Sequence, residues 1–282
     1  MNHSGTLYVV ATPIGNLQDI TLRALEVLRA VDVIAAEDTR HTSGLLSHFA
    51  MQKKLLAVHE HNERKAGEHL VQRLLAGESV ALVSDAGTPG ISDPGAVVVE
   101  MAHAAGVKVV PLPGPSAVVT ALSAAGIVAP GFRFHGFLPA SGSQRRTDLQ
   151  SLADCSVTLV FYEAPHRVLA SIADMATVLA GERMLTIARE LTKTFETIHR
   201  LPLAEAVSWL EEDANRQRGE FVLLVEPAPV KEAVPVDMEA ERILKLLLSE
   251  LPLKQAVKLA TDITGAKKNA LYELALNLKQ SQ

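Results

Sequence analysis

Residues Val83–Gly95, VSDAGTPGISDPG, stop an apolar run abruptly with glycines, prolines and the acids Asp85 and Asp93. Such a stretch can be a nucleotide cradle, an acid pair for a metal, or a turn. Neither G-x-G-x-x-G nor G-x-x-x-x-G-K-S/T occurs in the chain, nor an acidic-Gly-x-Gly-x-Gly start, which speaks against a dinucleotide or ATP cradle. Glycines and prolines instead let backbone N–H and C=O groups approach a ligand closely. An adenosine carrying a small tail suits such a lining. Asp93-Pro94 reads as a helix N-cap followed by proline at the first helical position. Asp85 stays open between an acceptor for loop N–H groups and a cleft carboxylate.

Other polar clusters share one habit: each follows an apolar run. Glu37-Asp38-Thr39-Arg40-His41 combines acids with a cation. Asp38 or Thr39 caps a helix beginning near Thr42, while Glu37 and Arg40 face the cleft. His59-Glu60-His61 puts both imidazoles on one side of an extended segment. No third ligand has a characteristic spacing and H-E-x-x-H is absent, so no metal is expected. Tyr162-Glu163-Ala164-Pro165-His166-Arg167 and Arg189-Glu190-Leu191-Thr192-Lys193 are read as strand-end clusters around a cleft, or as a helix-entry turn and surface charge pairing. Phe161, Tyr162 and Trp209 are placed in the core.

The elements that must position these residues follow from periodicity. Apolar runs at Leu7–Ala11, Val31–Ala36, Leu55–Val58, Val80–Val83 and Val107–Pro111 alternate with helical patterns at 21–29, 42–49, 63–75, 94–105 and 116–125. Asp19 is the expected cap of the first helix, with Leu22, Leu25 and Leu28 on one face. Strands apolar on both faces and separated by helices predict a parallel sheet, whose ligands bind beyond the carboxyl ends of the strands. A second α/β unit begins near Phe134, with runs at Thr158–Tyr162, Met184–Ala188 and Phe221–Val225. Phe195–Leu201 pairs antiparallel there, giving a mixed sheet.

The expected domains are 1–130, 131–228 and 229–282, the last opening on a Pro-rich linker at Glu226–Val236. Beyond it, helices broken near Gly265 suggest helix-turn-helix. Lys254, Lys258, Lys267 and Lys268 make this tail basic in a chain whose net charge is −5, so the tail is read as a nucleic-acid contact, the alternative being a plain three-helix cap. The lone Cys155 excludes an internal disulfide and points to a reducing compartment, the cytoplasm. No signal peptide is recognised. The uncharged stretch Val109–Phe132 carries Pro111, Pro113, Pro115 and Pro130, so no membrane span is expected there.

ATPIGNLQDIT, AAEDTRHT, SDAGTPGISDPG, PLPGPSA, FYEAPHR and ARELTKTFE stand in the order and spacing of one family. Over nearly its whole length the chain resembles the ribosomal RNA small-subunit methyltransferase I family, of the tetrapyrrole-methylase superfamily. The resemblance implies two α/β domains of tetrapyrrole-methylase type, S-adenosylmethionine in the cleft, a small C-terminal helical domain and a homodimer. It implies methylation of the ribose 2′-oxygen of a cytidine in the decoding region of 16S rRNA, within the 30S subunit or as free RNA. Cofactor contacts then fall on Pro13, Ala86, Gly87, Thr88, Ile91, Ser116, Ala117, Glu163 and Leu191. Glu37 stands where tetrapyrrole enzymes carry a proton-accepting acid, and His59 replaces their lysine. Pro13-Ile14-Gly15-Asn16 replaces their Gly-Pro-Gly-Asp, as fits an RNA acceptor. Glu37 is the expected general base, with His59 or Arg40 orienting the acceptor and with Asp38 and Glu163 as the next candidates. A methylase of a small tetrapyrrole and a non-catalytic RNA-binding assembly factor are the competing readings.

Overall fold

The computed structural model describes residues 5–229 and 237–280, so most of the expected linker lies outside the described residues. The chain divides into two compact units, Met1–Ala228 and Pro229–Gln282.

The first unit opens with β1 (Thr6–Val10), α1 (Leu22–Ala30), β2 (Val33–Ala36), α2 (Thr39–His48), β3 (Lys54–Ala57), α3 (Glu63–Leu75), β4 (Val80–Val83), α4 (Ala96–Ala104), β5 (Lys108–Leu112) and α5 (Ala117–Ala124). The strands form one sheet in the order β3-β2-β4-β1-β5. Every pair in it is parallel. All residues of β2 and β4 are buried. Their continuous apolar runs follow from cover on both faces. Ala24 and Leu28 of α1 and Leu46 of α2 pack on one face. Leu70 and Leu74 of α3 and Val98 and Ala102 of α4 pack on the other.

The expected face of α1 is only partly right. Leu28 is buried, but Leu22 is 79% exposed. The inward face is centred on Ala24 and Leu28, four residues apart, with Leu25 and Val27 packed at its margin. Asp19 sits in a 3-10 turn, and the cap of α1 is Thr21, whose side chain accepts from Ala24 N at 3.1 Å.

The second half contains β6 (Phe132–Phe137), α6 (Gly142–Leu152), β7 (Thr158–Glu163), α7 (Val168–Val178), β8 (Met184–Arg189), β9 (Thr197–Pro202), α8 (Leu203–Glu211) and β10 (Phe221–Val225). Its sheet order is β6-β7-β10-β8-β9. Only β6 and β7 run parallel; β10 is antiparallel to β7 and β8, and β9 to β8. The mixed sheet and the antiparallel segment near 195–201 are as expected. The edge strand β6 is additional: all its residues but Gly136 are exposed or part-exposed, and they carry no continuous apolar run. Val118 and Ala121 of α5 pack with Val160, Ala188 and Val222 on one face of this sheet, tying the two sheets together. Residues of α6, α7 and α8 fill the other face.

The second unit comprises α9 (Met238–Glu250), α10 (Leu253–Thr264) and α11 (Lys268–Gln280). Leu244, Val257, Ala260, Leu271 and Ala275 are its core. Asp237 caps α9, accepting from Ala240 N at 2.8 Å. Gly265 ends α10 in the left-handed conformation, φ 70°, which lets the chain turn into α11. Lys254, Lys258, Lys267 and Lys268 are all exposed on it. Among the described residues, no helix is long and apolar enough to cross a membrane.

Candidate active site

A cavity of about 360 Å³ opens where the ends of β1, β4 and β5 meet the second sheet. Backbone hydrogen bonds build its floor. Thr12 N donates to Gly87 O at 2.9 Å, and Gly87 N donates to Thr12 O at 3.0 Å. Thr12 Oγ1 donates to Ser84 O at 3.1 Å, and Thr88 Oγ1 to Pro115 O at 3.0 Å. The loops after β1, β4 and β5 are thereby fixed to one another. Gly87 has φ +77°, a left-handed conformation that suits glycine and lets its backbone face the opening.

The remaining wall comes from β7, β8 and β10. Ala188, Leu191, Phe221 and Val222 make it apolar, while Glu163 and Glu220 give it polar points. Glu163 is buried. Its carboxylate accepts from Ser171 Oγ and from Ala164 N, and pairs with Arg167 Nε at 3.2 Å. Leu191 is held by the strained loop that follows β8, where Glu190 and Thr192 both have positive φ. Arg189 is buried under that loop and donates to Asn215 O, Arg218 O and Phe195 O. This is a structural clamp and not surface charge pairing. Surface pairing does occur next to it, where Lys193 Nζ bridges Glu190 at 2.8 Å and Glu220 at 2.9 Å.

Ala86, Gly87, Thr88, Ile91, Ser116, Ala117, Glu163 and Leu191 all line this cavity. Pro13 does not; it lies in a neighbouring depression with Arg40, His41 and Asp85. Glu37 is outside the cavity lining. Its Oε2 accepts from Asp85 N at 3.4 Å, and Asp85 Oδ1 accepts from Asp38 N at 3.0 Å. Asp85 thus latches the end of β2 to the end of β4. Burial, followed by the charges of Asp85 and Asp38, raises the Glu37 carboxyl above its ordinary value, against the hydrogen bond from Asp85 N.

Other expected positions are corrected. Helix α2 starts at Thr39, capped by Asp38, which accepts from Arg40 N at 2.8 Å. Arg40 does not face the cleft; its side chain is 90% exposed and forks onto Asp38. That hydrogen bond holds the Asp38 carboxyl well below the usual range. A local ion pair two residues away captures the guanidinium before the cleft can. His59 lines none of the cavity, and its Nδ1 is buried with no hydrogen-bond partner among the described residues. Its ring lies 6.1 Å from that of His61, and among the described residues no His, Cys, Asp and Glu group can hold a metal.

Asp93 is the largest departure. It does not cap α4, whose N-cap is Gly95 at φ 136°. The capping acceptor is Glu63, reaching from α3 to Gly95 N at 2.7 Å and Val97 N at 2.9 Å. Asp93 lines the cavity instead. Burial pushes its carboxyl up to about 6, with Glu37 and Asp85 adding to the rise and a hydrogen bond from Ser84 opposing it. Tyr162 packs against the core cluster, as expected, and also lines the cavity wall beside Phe137, with ring centroids 5.6 Å apart. Burial and the nearby Asp93 push the Tyr162 phenol up to about 12, so it is a neutral donor at physiological pH. Phe137 was out of reach of periodicity because β6 itself carried no signal. The other two had one: each stands in a strand-end cluster.

The sequence between residues 6 and 207 matches the family model of Tetrapyrrole (Corrin/Porphyrin) Methylases. Residues 233–279 match that of the RsmI C-terminal HTH domain. A Pseudomonas aeruginosa protein called Ribosomal RNA small subunit methyltransferase I is 56% identical over 275 residues, 97% of each chain. A Vibrio cholerae protein of the same name is 54% identical over 98% of this chain and 96% of its own. Among solved structures, the methyltransferase CobJ superposes with a TM-score of 0.59 at 21% identity, covering 80% of this chain and 95% of its own. Uroporphyrin-III C-methyl transferase from Thermus thermophilus, complexed with S-adenyl homocysteine, superposes at 0.56 and 19% identity, covering 78% and 97%. These two share the fold.

Proposed function

The chain belongs to the ribosomal RNA small subunit methyltransferase I family, and from that premise we propose that it methylates 16S rRNA with S-adenosylmethionine as donor. It is an S-adenosylmethionine-dependent methyltransferase. The finer reading is transfer to the ribose 2′-oxygen of a cytidine in the decoding region, on RNA within the 30S subunit, in the cytoplasm, by a homodimer. The division into domains 1–130, 131–228 and 229–282 belongs to the same reading.

The observation that carries it is the cavity. Its volume of about 360 Å³ lies within the usual range for a small-molecule site. Apolar walls at Ile14, Ala188 and Leu191 suit an adenine ring, and backbone groups at Ala86–Thr88 suit the polar tail. The donor, when bound, supplies a methyl group already activated on a sulfonium. What the chain adds is alignment and a place for one proton. A carboxylate of the Glu37, Asp85 and Asp93 group provides that place. The exposed lysines Lys254, Lys258, Lys267 and Lys268 provide phosphate contacts, and Glu37 was the first candidate for the base.

The test is transfer of labelled methyl from S-adenosylmethionine to purified 30S subunits and to free 16S rRNA, both unmodified at the outset. Mass-spectrometric mapping should find the label on one ribose of the small-subunit RNA. Label on a tetrapyrrole and none on RNA, or no transfer at all, would overturn the reading.

A further inference from the structure

Three acids line the cavity: Asp93, Glu163 and Glu220. Two of them are already committed to cations. Glu163 is fully buried against Arg167 and hydrogen-bonded by Ser171. Glu220 points out, 77% exposed, and pairs with Lys193. Among the described residues, Asp93 has no cationic partner. It does not cap α4 either: the N-cap is Gly95, and the side chain that accepts from Gly95 N and Val97 N is that of Glu63. Glu37, by contrast, sits behind Asp85, outside the lining.

Resting on the methyltransferase reading above, we propose that Asp93, not Glu37, is the catalytic residue that accepts the proton of the acceptor hydroxyl. The acceptor oxygen bonds to the methyl carbon as the carbon–sulfur bond breaks, its electron pair staying on sulfur. The hydroxyl proton passes to the Asp93 carboxylate, which later releases it to water. The groups facing Asp93 are Glu37 from the end of β2, Ser84 and Asp85 from the end of β4, and Tyr162 of β7. Burial first, and then the charges of Glu37 and Asp85, make the carboxylate a stronger base than an isolated aspartate. Tyr162 keeps its proton and so does not compete for the transferred one. Glu37 is then a positioning residue that acts through Asp93.

Asp93→Asn and Glu37→Gln separate the two assignments. Asp93→Asn should bind S-adenosylhomocysteine within about threefold of wild type by calorimetry and lower kcat by about 10²–10⁴-fold. In wild type, kcat/KM should fall below about pH 6 as the Asp93 carboxylate becomes protonated. Glu37→Gln removes a neighbouring negative charge, which favours ionisation, so this acid limb should move to lower pH. Selective ¹³C NMR of the Asp93 carboxyl should show the same downward shift without any turnover.

If Asp93→Asn turned over at half the wild-type rate or more, the assignment would fall. It would fall equally if Glu37→Gln lost turnover while Asp93→Asn kept it. These outcomes are distinct from failure of the parent reading, which shows as wild-type protein that transfers no methyl group to RNA.

Discussion

Glu63 closes the N-terminus of α4 from a different helix: its Oε1 accepts from Gly95 N at 2.7 Å and from Val97 N at 2.9 Å. The loop between β4 and α4 is thereby pinned at its far end, while its near end is tied to the loop after β1 through Thr12 and Gly87. Glu63→Ala should destabilise the protein by about 1–2 kcal/mol, the range for a lost helix cap. Urea denaturation measures it. Because the same loop carries Thr88, Ile91 and Asp93 into the cavity, S-adenosylhomocysteine affinity should fall in parallel.

Asp93 makes stability depend on pH. Its folded carboxyl titrates at about 6 against an ordinary value of 3.8, so between these pH values the folded state holds more proton than the unfolded state. Stability therefore declines as pH rises through this window and levels off above it. Screening at a part-exposed group limits the loss to about 1–2 kcal/mol. Asp93→Asn should remove this component, so that the variant gains on wild type from pH 4 to pH 7. Denaturation midpoints at the two pH values give the result.

Glu163 is the opposite kind of acid, a buried group already neutralised. Glu163→Ala removes the carboxylate that faces the Arg167 guanidinium and leaves Ser171 Oγ without its acceptor. The expected loss is about 3–5 kcal/mol, large enough to read as a drop in Tm. Glu220→Ala, which removes only an exposed partner of Lys193, should shift Tm by less than the error of most scans.

Gly15 touches the loop after β8. A Cβ there would stand 2.5 Å from Lys193 Cγ and 3.1 Å from Leu191 O. The lysine can move aside, but the Leu191 backbone is held by the strained turn and the Arg189 clamp. Gly15→Ala should displace the Leu191 wall and weaken S-adenosylhomocysteine binding by about tenfold, roughly 1.4 kcal/mol. Calorimetric titration of the variant checks it.

Lys267 and Lys268 flank the turn between α10 and α11 and are exposed. If they meet phosphate, replacing each by alanine should flatten the slope of log K against log salt for 16S rRNA by about one. S-adenosylhomocysteine affinity should not change, since neither residue lines the cavity. Filter binding at several salt concentrations supplies the slopes.

Much of the architecture was legible because it rests on local pattern. VIAA and VALV are apolar at every position, which only a strand covered on both faces tolerates, so the parallel sheet followed from composition and spacing. Gly265 marked the break between α10 and α11 for the same local reason. The strand β6 was not legible, since an edge strand with mostly exposed or part-exposed residues need not be apolar.

At the site, sequence determined the addresses and tertiary structure decided the roles. The strand-end clusters were visible because a parallel sheet gathers its ligand-facing loops at one edge. Within each cluster, the choice depended on partners distant in the chain. Asp-Pro before a helix looks like a cap, but a cap is any acceptor that reaches the open N–H groups, and Glu63 reaches them from α3. Arg40 and Glu37 looked alike as cleft residues, yet one is drawn outward by Asp38 and the other backward by Asp85 N. Competition for a hydrogen-bond or charge partner is settled in space, and among the described residues that competition left Asp93 as the cavity-lining acid with no cation to neutralise it.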